Sequence, residues 1–446
     1  MMAVDTVLQE REASGRPIRL GMIGAGATGR AIALQLGTPV PGMRLVGIAN
    51  RTSANGERAY REAGVAKWKA VATAQEAETA INQGIPVLTD DPFVLTRCGA
   101  IDMILEVTGT IEAGARVTLD AFDHGKHVVL VNAELDSLLG PILKVKADEA
   151  GVVVTHTDGD EPGVAMTLIR YLRTLGLRVV AAGNIKGMVD YYRTPETQKA
   201  FAEKNDQDAR KVTSFADATK LSMECTVLAN ATGFHVGRRG MHGPKCGYVR
   251  EIGNLLPPDQ MKETGLVDYA LGAAPHTGAF AVIYEENSLK KVQLSYYKLG
   301  DGPFYVFYTP YHLPHLQIGA TIGRAFVHRD PTVAPIGGPV CEVVTVAKRD
   351  LKAGEKLDGV GGFCTYGLIE NATTARKMSA LPIGLSEGRV LLRDVPKDSV
   401  VSFEDVGPGA GGLVESLWRE QNARWPNSSE SMKESPLEPA GVGRGR

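Results

Sequence analysis

The chain has 446 residues, 43% of them hydrophobic, enough for two or three domains with sizeable cores. A formal net charge of −2 gives no electrostatic reason for nucleic acid or an anionic membrane as partner. The five cysteines (Cys98, Cys225, Cys246, Cys341 and Cys364) form no CxxC pair, which argues for free thiols rather than a disulfide frame or a zinc site.

The first stretch, MMAVDTVLQEREASGRP, is polar and lacks the apolar centre of a secretory signal. Residues 1–17 are expected to form an N-terminal arm. No apolar run reaches the roughly eighteen residues of a membrane span, so the expected location is the cytoplasm.

From Ile18 to about Asp158, short β-branched runs alternate with helical stretches: IRLGMI, RLVGIAN, IDMILEVTG, HVVLVN and GVVVTHTD. Nearly continuous apolar runs of this length suit strands buried on both faces. The alternation predicts a parallel, doubly wound sheet, an α/β Rossmann domain over 18–160. Within it GMIGAGATGR places Gly24, Gly26 and Gly29 between a strand and a helix. That is the context in which a glycine turn and a helix N-terminus, here with Ala27 and Thr28, bind a pyrophosphate. About twenty residues on, where a carboxylate would bind an NAD ribose, stand Asn50 and Arg51. A guanidinium pairs with a 2′-phosphate that a carboxylate would repel, so NADP(H) is the expected cofactor.

Pro162 opens a predicted helix, PGVAMTLIRYLRTLG. Residues 161–330 then mix strands and helices, through RVVAAGNIKG, a helical stretch near 214–231, AFAVIYEE, VQLSYYKLG and PFYVFYTPY. An α+β catalytic and dimerisation domain with an antiparallel sheet is expected, with 312–327 returning as a helix to the first domain. PTVAPIGGP reads as a linker, and 340–407 as a β-rich unit in which RDLKAGEKL and RDVPKDSVV hint at an internal repeat. The tail, 426–446, is rich in Pro, Ser, Gly and Glu and is expected to be disordered.

Ligands of a doubly wound sheet bind beyond the carboxyl ends of its strands. The loops holding Thr108, Glu134 and HTDGDEPG (156–163) should therefore share a rim with the glycine turn. Asp158, Asp160 and Glu161 crowd three carboxylates into four positions. They can serve the helix N-terminus, hold Mg²⁺ or Mn²⁺, or pair with Lys186 or Lys220. The second domain offers Asn184, Lys186 and Asp190, then Asp217, Lys220 and Glu224, with Lys220 and Glu224 on one helix face. A lysine whose pKa is lowered by burial is a proton donor to a carbonyl oxygen. Arg238, Arg239, His242 and Lys245, with His235, look like an anion-binding loop or a solvated one. Pro314 argues against a helical metal pair of His312 and His315; core or helix-start positions are expected, with one facing the site left open.

Residues 18–330 resemble the homoserine dehydrogenase superfamily through GAGATG, VLVNAE, TDGDEPGVAMTLIRYLR, GNIKG and DATKLSMECTVLA. Lys220 matches that family's catalytic helix lysine. The chain departs from the family at Ala133-Glu134 and Asp160-Glu161, which make the site more acidic. The 340–407 unit resembles an SAF domain, and the combination resembles the deoxyxylulose phosphate reductoisomerase-like enzymes. That resemblance implies NADPH, a divalent cation and conversion of 1-deoxy-D-xylulose 5-phosphate to 2-C-methyl-D-erythritol 4-phosphate, in isoprenoid biosynthesis. It gives Asp158, Asp160 and Glu161 to the metal, with Glu134 a further candidate ligand or a catalytic acid. Lys220 and Lys186 would carry protons, and Arg238, Arg239, His242 and Lys245 would grip the phosphate of a small sugar-like substrate. A homodimer is expected. The competing readings are a homoserine-type NADP-dependent dehydrogenase and a non-catalytic dinucleotide- or sugar-binding protein.

Overall fold

The computed structural model describes residues 4–38 and 40–426. The tail expected at 426–446 lies outside the described residues beyond Pro426. Seven parallel strands form the first sheet: β1 Ile18–Ile23, β2 Met43–Ala49, β3 Lys69–Ala70, β4 Val87–Thr89, β5 Met103–Glu106, β6 His127–Leu130 and β7 Val154–His156. Their order is β3-β4-β2-β1-β5-β6-β7, so the chain runs outward in both directions from β1 and opens a crevice beyond its carboxyl end. Ile18, Leu20 and Met22 of β1 are fully buried, as a central strand covered on both faces requires. The expected arm holds a helix, Asp5–Ala13, whose Leu8 joins the core beneath β1. The returning helix, Ile318–Val327, buries Ile318, Ile322 and Ala325 in that same core.

The second sheet has the order β11-β10-β8-β9, with β8 Arg178–Lys186, β9 Leu266–Leu271, β10 Ala279–Tyr284 and β11 Phe304–Thr309. It is mixed rather than antiparallel. β10 runs against β8 and β11, but β8 and β9 are parallel. The cause is the connection: helices Pro195–Lys204, Ala209–Ala216 and Thr219–Thr232 intervene between β8 and β9, and such a crossover returns the chain in its original direction. VQLSYYKLG lies mostly within a helix, Ser288–Tyr296.

The C-terminal unit pairs β12 Cys341–Ala347 with β13 Thr365–Asn371. Its two related phrases meet face to face. Leu351 bridges Val395, the Asp350 carboxylate accepts from Lys397 N–H at 2.8 Å, and the Asp394 carboxylate accepts from Ala353 N–H at 2.9 Å. Each aspartate thus binds the residue three places after the other, giving the repeat a local two-fold relation.

The chain then returns to the Rossmann domain through the helix Leu413–Arg424, which the sequence reading did not anticipate. It docks on the helix Ala133–Glu149, which contains Pro141. A proline inside a helix disturbs the backbone ladder of the preceding turn. The Gln421 amide is inserted there: its Oε1 accepts from Ile142 N–H at 3.1 Å, and its Nε2 donates to Leu138 C=O at 3.0 Å.

Candidate functional site

A cleft of about 760 Å³ lies at the glycine turn, lined by Gly24, Gly26, Ala27, Thr28, Gly29, Asn50, Arg51 and Thr108 among others. Gly24 has φ +105°, and a Cβ there would stand 2.5 Å from Val107 O. A Cβ on Gly29 would stand 2.3 Å from Gly24 O, whereas one on Gly26 would meet nothing within 4 Å. The outer glycines therefore permit the turn and the close helix approach, and the middle one faces open space. Asn50 accepts from Ala25 N–H at 2.9 Å, bracing the turn from β2, and Arg51 is exposed at the cleft. Thr108 is held by Glu106, a fully buried carboxyl that burial pushes up and that also accepts from Asn132 at 2.8 Å.

Beyond β7, the acids of HTDGDEPG separate. Asp158 turns away: its carboxylate lies 3.6 Å from Arg324 and its N–H donates to Thr321, both on the returning helix. It therefore leaves the expected metal set, because it joins that helix to the loop. Asp160 stands at the N-cap of the helix Glu161–Thr174 but caps no N–H with its side chain. Its Oδ2 instead lies 3.0 Å from His156 Nε2 and 3.9 Å from Lys220. Glu161 Oε1 accepts from Lys186 at 2.5 Å, and its Oε2 is 3.5 Å from His312. The basic partners considered for these acids are thus the groups beside them.

Three further residues complete the cluster. Glu224, one turn after Lys220, accepts from Asn184 at 2.8 Å and lies 3.5 Å from Lys186. Glu134 lies 3.6 Å from Lys220. Asp136 binds the other His156 nitrogen at 3.0 Å, so this fully buried ring bridges two carboxylates. The i,i+4 spacing of Lys220 and Glu224 was the one sequence signal for Glu224. His156 and Asp136 had none, since they meet only through the β6–β7 pairing.

Electrostatics differ from the sequence expectation. Burial alone would lower the lysine pKa values, but Glu161 and Glu224 around Lys186, and Glu134 and Asp160 around Lys220, raise both above the usual lysine range. Neither lysine is thus primed to lose its proton. Burial opposes ionisation of Asp160, yet Lys220 and His156 hold it well below the usual carboxylate range. His156 would be lowered by burial, but Asp136 and Asp160 carry it to about 9. Glu224 goes the other way: burial and the neighbouring Glu161 push it up to about 8. At neutral pH Glu224 therefore holds its proton.

The expected phosphate loop does not converge on this site. Arg238 donates to the carbonyls of Met241 and His242, Arg239 pairs with Glu370, and the His242 ring lies 2.8 Å from Asp268. These side chains brace their own loop, β9 of the second sheet and the C-terminal unit. Lys245 is exposed and lines a separate cavity of about 540 Å³ that begins at Gly187, one residue past Lys186.

The C-terminal unit buttresses the helix carrying Lys220 and Glu224. Lys348, almost fully buried, donates to Asp217, Arg193 C=O and Gly362 C=O at 2.7–2.9 Å. Gly367 N–H donates to Thr219, and Val340 N–H to Asn230. No helix among the described residues is long and apolar enough to cross a membrane.

Residues 159–318 match the family model described as Oxidoreductase DRL, catalytic domain. A homoserine dehydrogenase of Pseudomonas aeruginosa is 27% identical over 139 residues, 31% of this chain and 28% of that protein, so the chain spans under a third of that relative's length. The crystal structure of a homoserine dehydrogenase from Thiobacillus denitrificans is similar at 16% identity, covering 76% of this chain and 83% of that chain, with a TM-score of 0.42. That of scyllo-inositol dehydrogenase from Lactobacillus casei with bound NAD(H) and scyllo-inositol is similar at 12% identity, covering 71% and 90%, with a TM-score of 0.38. The stretch that matches an oxidoreductase catalytic domain thus follows a parallel, Rossmann-type sheet with a glycine turn. The matches specify neither substrate nor metal.

Proposed function

We propose that this chain is an NADPH-dependent reductoisomerase. It would convert 1-deoxy-D-xylulose 5-phosphate to 2-C-methyl-D-erythritol 4-phosphate by rearrangement to an aldehyde followed by hydride reduction. The observation that carries the proposal is the buried alternation of acids and lysines. Glu134, Asp160, Glu161 and Glu224 interleave with Lys220 and Lys186, at the border between the Rossmann sheet and the domain that matches the oxidoreductase family. A simple alcohol oxidation needs one proton acceptor. A rearrangement coupled to reduction must move a hydroxyl proton, stabilise a developing alkoxide and deliver a proton to it. A cluster holding fixed cations and one protonated acid supports that longer task.

In this reading the ammonium groups of Lys220 and Lys186 remain charged and stabilise negative charge on the substrate oxygens. Glu224, protonated at neutral pH, supplies the proton when hydride reaches the aldehyde carbon. Asp160, kept ionised by His156 and Lys220, and Glu134 on the opposite side of Lys220, fix that lysine's direction. Arg51 would pair with the 2′-phosphate of NADPH, and Lys245, on the cavity that begins beside Lys186, would meet the substrate phosphate.

A divalent cation fits the donors present. Asp160 and Glu161 each offer a carboxylate oxygen, Glu224 offers one within 4.8 Å of both once it has given up its proton, and the buried Asn184 Oδ1 beside Glu224 has no hydrogen-bond partner. These are hard oxygen donors of the kind Mg²⁺ and Mn²⁺ select. When bound there, such an ion would polarise carbonyl and hydroxyl oxygens as a Lewis acid.

The test is consumption of NADPH by purified protein given deoxyxylulose phosphate, with and without Mn²⁺, and identification of the product. Turnover of homoserine with NADP⁺, and none of deoxyxylulose phosphate, would overturn the proposal in favour of the homoserine-type dehydrogenase to which the Pseudomonas match points.

A further inference from the structure

We propose that Arg30 and Arg58 bind the ribose 2′-phosphate of the cofactor, and that Asp206 occupies the phosphate's place until the cofactor arrives. The inference rests on the dinucleotide reading of the cleft. Arg30 follows Gly29 directly, in the first turns of the helix Ala27–Gly37, and Arg58 lies on the helix Ser53–Glu62 that begins after Arg51. Asp206 comes from the second domain, in the segment between the helices 195–204 and 209–216, yet it lines the dinucleotide cleft with Arg30, Arg51 and Asn55. One oxygen, Asp206 Oδ2, lies 2.6 Å from Arg30 Nη2 and 2.8 Å from Arg58 Nη2. Glu62 holds the same two guanidinium groups from the far side, at 3.4 Å from Arg30 and 2.6 Å from Arg58.

Two guanidinium groups from two helices converging on one anionic oxygen form a phosphate site in miniature. Arg30 is held more firmly than the anion: its side chain is 13% exposed, against 46% for Arg58 and 61% for Asp206. An exposed carboxylate gains little from such a pair. A 2′-phosphate brings more charge and three acceptor oxygens to the same groups, and Glu62 keeps them aimed. NADH offers only a hydroxyl there and leaves Asp206 in place. The site therefore discriminates between the two cofactors beyond what Arg51 alone provides.

Asp206 has φ +51°, a left-handed conformation that asparagine also tolerates. D206N therefore removes the charge and keeps the backbone. The experiment is fluorescence titration of the full chain and of D206N and R58Q with NADPH and with NADH. D206N should raise NADPH affinity severalfold and NADH affinity little, and R58Q should cost roughly tenfold with NADPH and much less with NADH. Equal changes for both cofactors, or weaker NADPH binding by D206N, would overturn the inference while the dinucleotide reading stands. A wild-type chain that binds neither cofactor would overturn that reading and the inference with it.

Discussion

Glu161 and Lys186 meet at 2.5 Å across the border between the HTDGDEPG loop and the second sheet, one from the first turn of a helix, the other from the last position of β8. Glu161 is 3% exposed, so the pair exchanges solvation for mutual attraction, and Lys186 also faces Glu224. Removing one partner of such a pair strands the other charge.

Lys186→Met should therefore cost stability, on the order of 3–5 kcal/mol in denaturant unfolding. It should also lower turnover by about a hundredfold or more, because a fixed cation near the reacting oxygens is lost. Lys186→Met combined with Glu161→Gln should recover much of the stability and none of the activity. Recovery of both would show that the pair is structural only.

Glu224 sets a pH dependence whose sign is fixed by its position. Its carboxyl is at about 8 in the folded chain and 4.5 in the reference state. Between these values the folded chain keeps a proton that the unfolded chain has released, so stability falls as pH climbs through this window and levels off above about 8. In metal-free protein, melting temperature should decline across that range. Glu224→Gln should flatten this part of the decline. The rate of NADPH oxidation should also fall as pH passes about 8, and an unshifted alkaline limb in Glu224→Gln would exclude Glu224 as the proton donor.

The glycine turn and the strands β1, β2, β5, β6 and β7 were legible in sequence because their signals are local: a turn that needs φ above zero at Gly24, and unbroken apolar runs. β3 and β4, of two and three residues, are too short to leave a pattern. The helix at 413–424 went unanticipated, although its role is visible once Pro141 and Gln421 are seen together. Site residues divide in the same way. Glu134, Asp160 and Glu161 could be placed on the rim from strand order, whereas Lys186 and Lys220 entered only as candidate partners of these acids from the second domain. Sequence proximity wrongly kept Asp158 with its neighbours, and it could not foresee that Arg238, Arg239 and His242 are committed to other protein groups. His156 and Asp136 were invisible, since twenty residues separate them along the chain.

The cation-binding groups can be separated by substitution. If Asp160, Glu161 and Glu224 hold a divalent ion, Mn²⁺ titration followed by calorimetry should show binding that Glu224→Gln weakens by about tenfold or more. Asp158→Asn should leave it unchanged, since that carboxylate faces Arg324. Loss of Mn²⁺ binding in Asp158→Asn alone would mean that the loop rearranges on loading and that the four-position acid cluster acts as a unit after all.

Gln421 tests whether the C-terminal helix matters to the site. Its amide satisfies Ile142 N–H and Leu138 C=O at the break beside Pro141, all within a buried contact. Gln421→Leu keeps the approximate volume but strands both backbone groups, at about 1–3 kcal/mol each. The first turn of the same helix carries Glu134 and Asp136, which orient Lys220 and His156. The variant should therefore lose stability in denaturant unfolding. It should also show a lower kcat with KM for NADPH little changed, because the dinucleotide turn lies on other elements. A stability loss with kcat intact would confine Gln421 to repairing the helix.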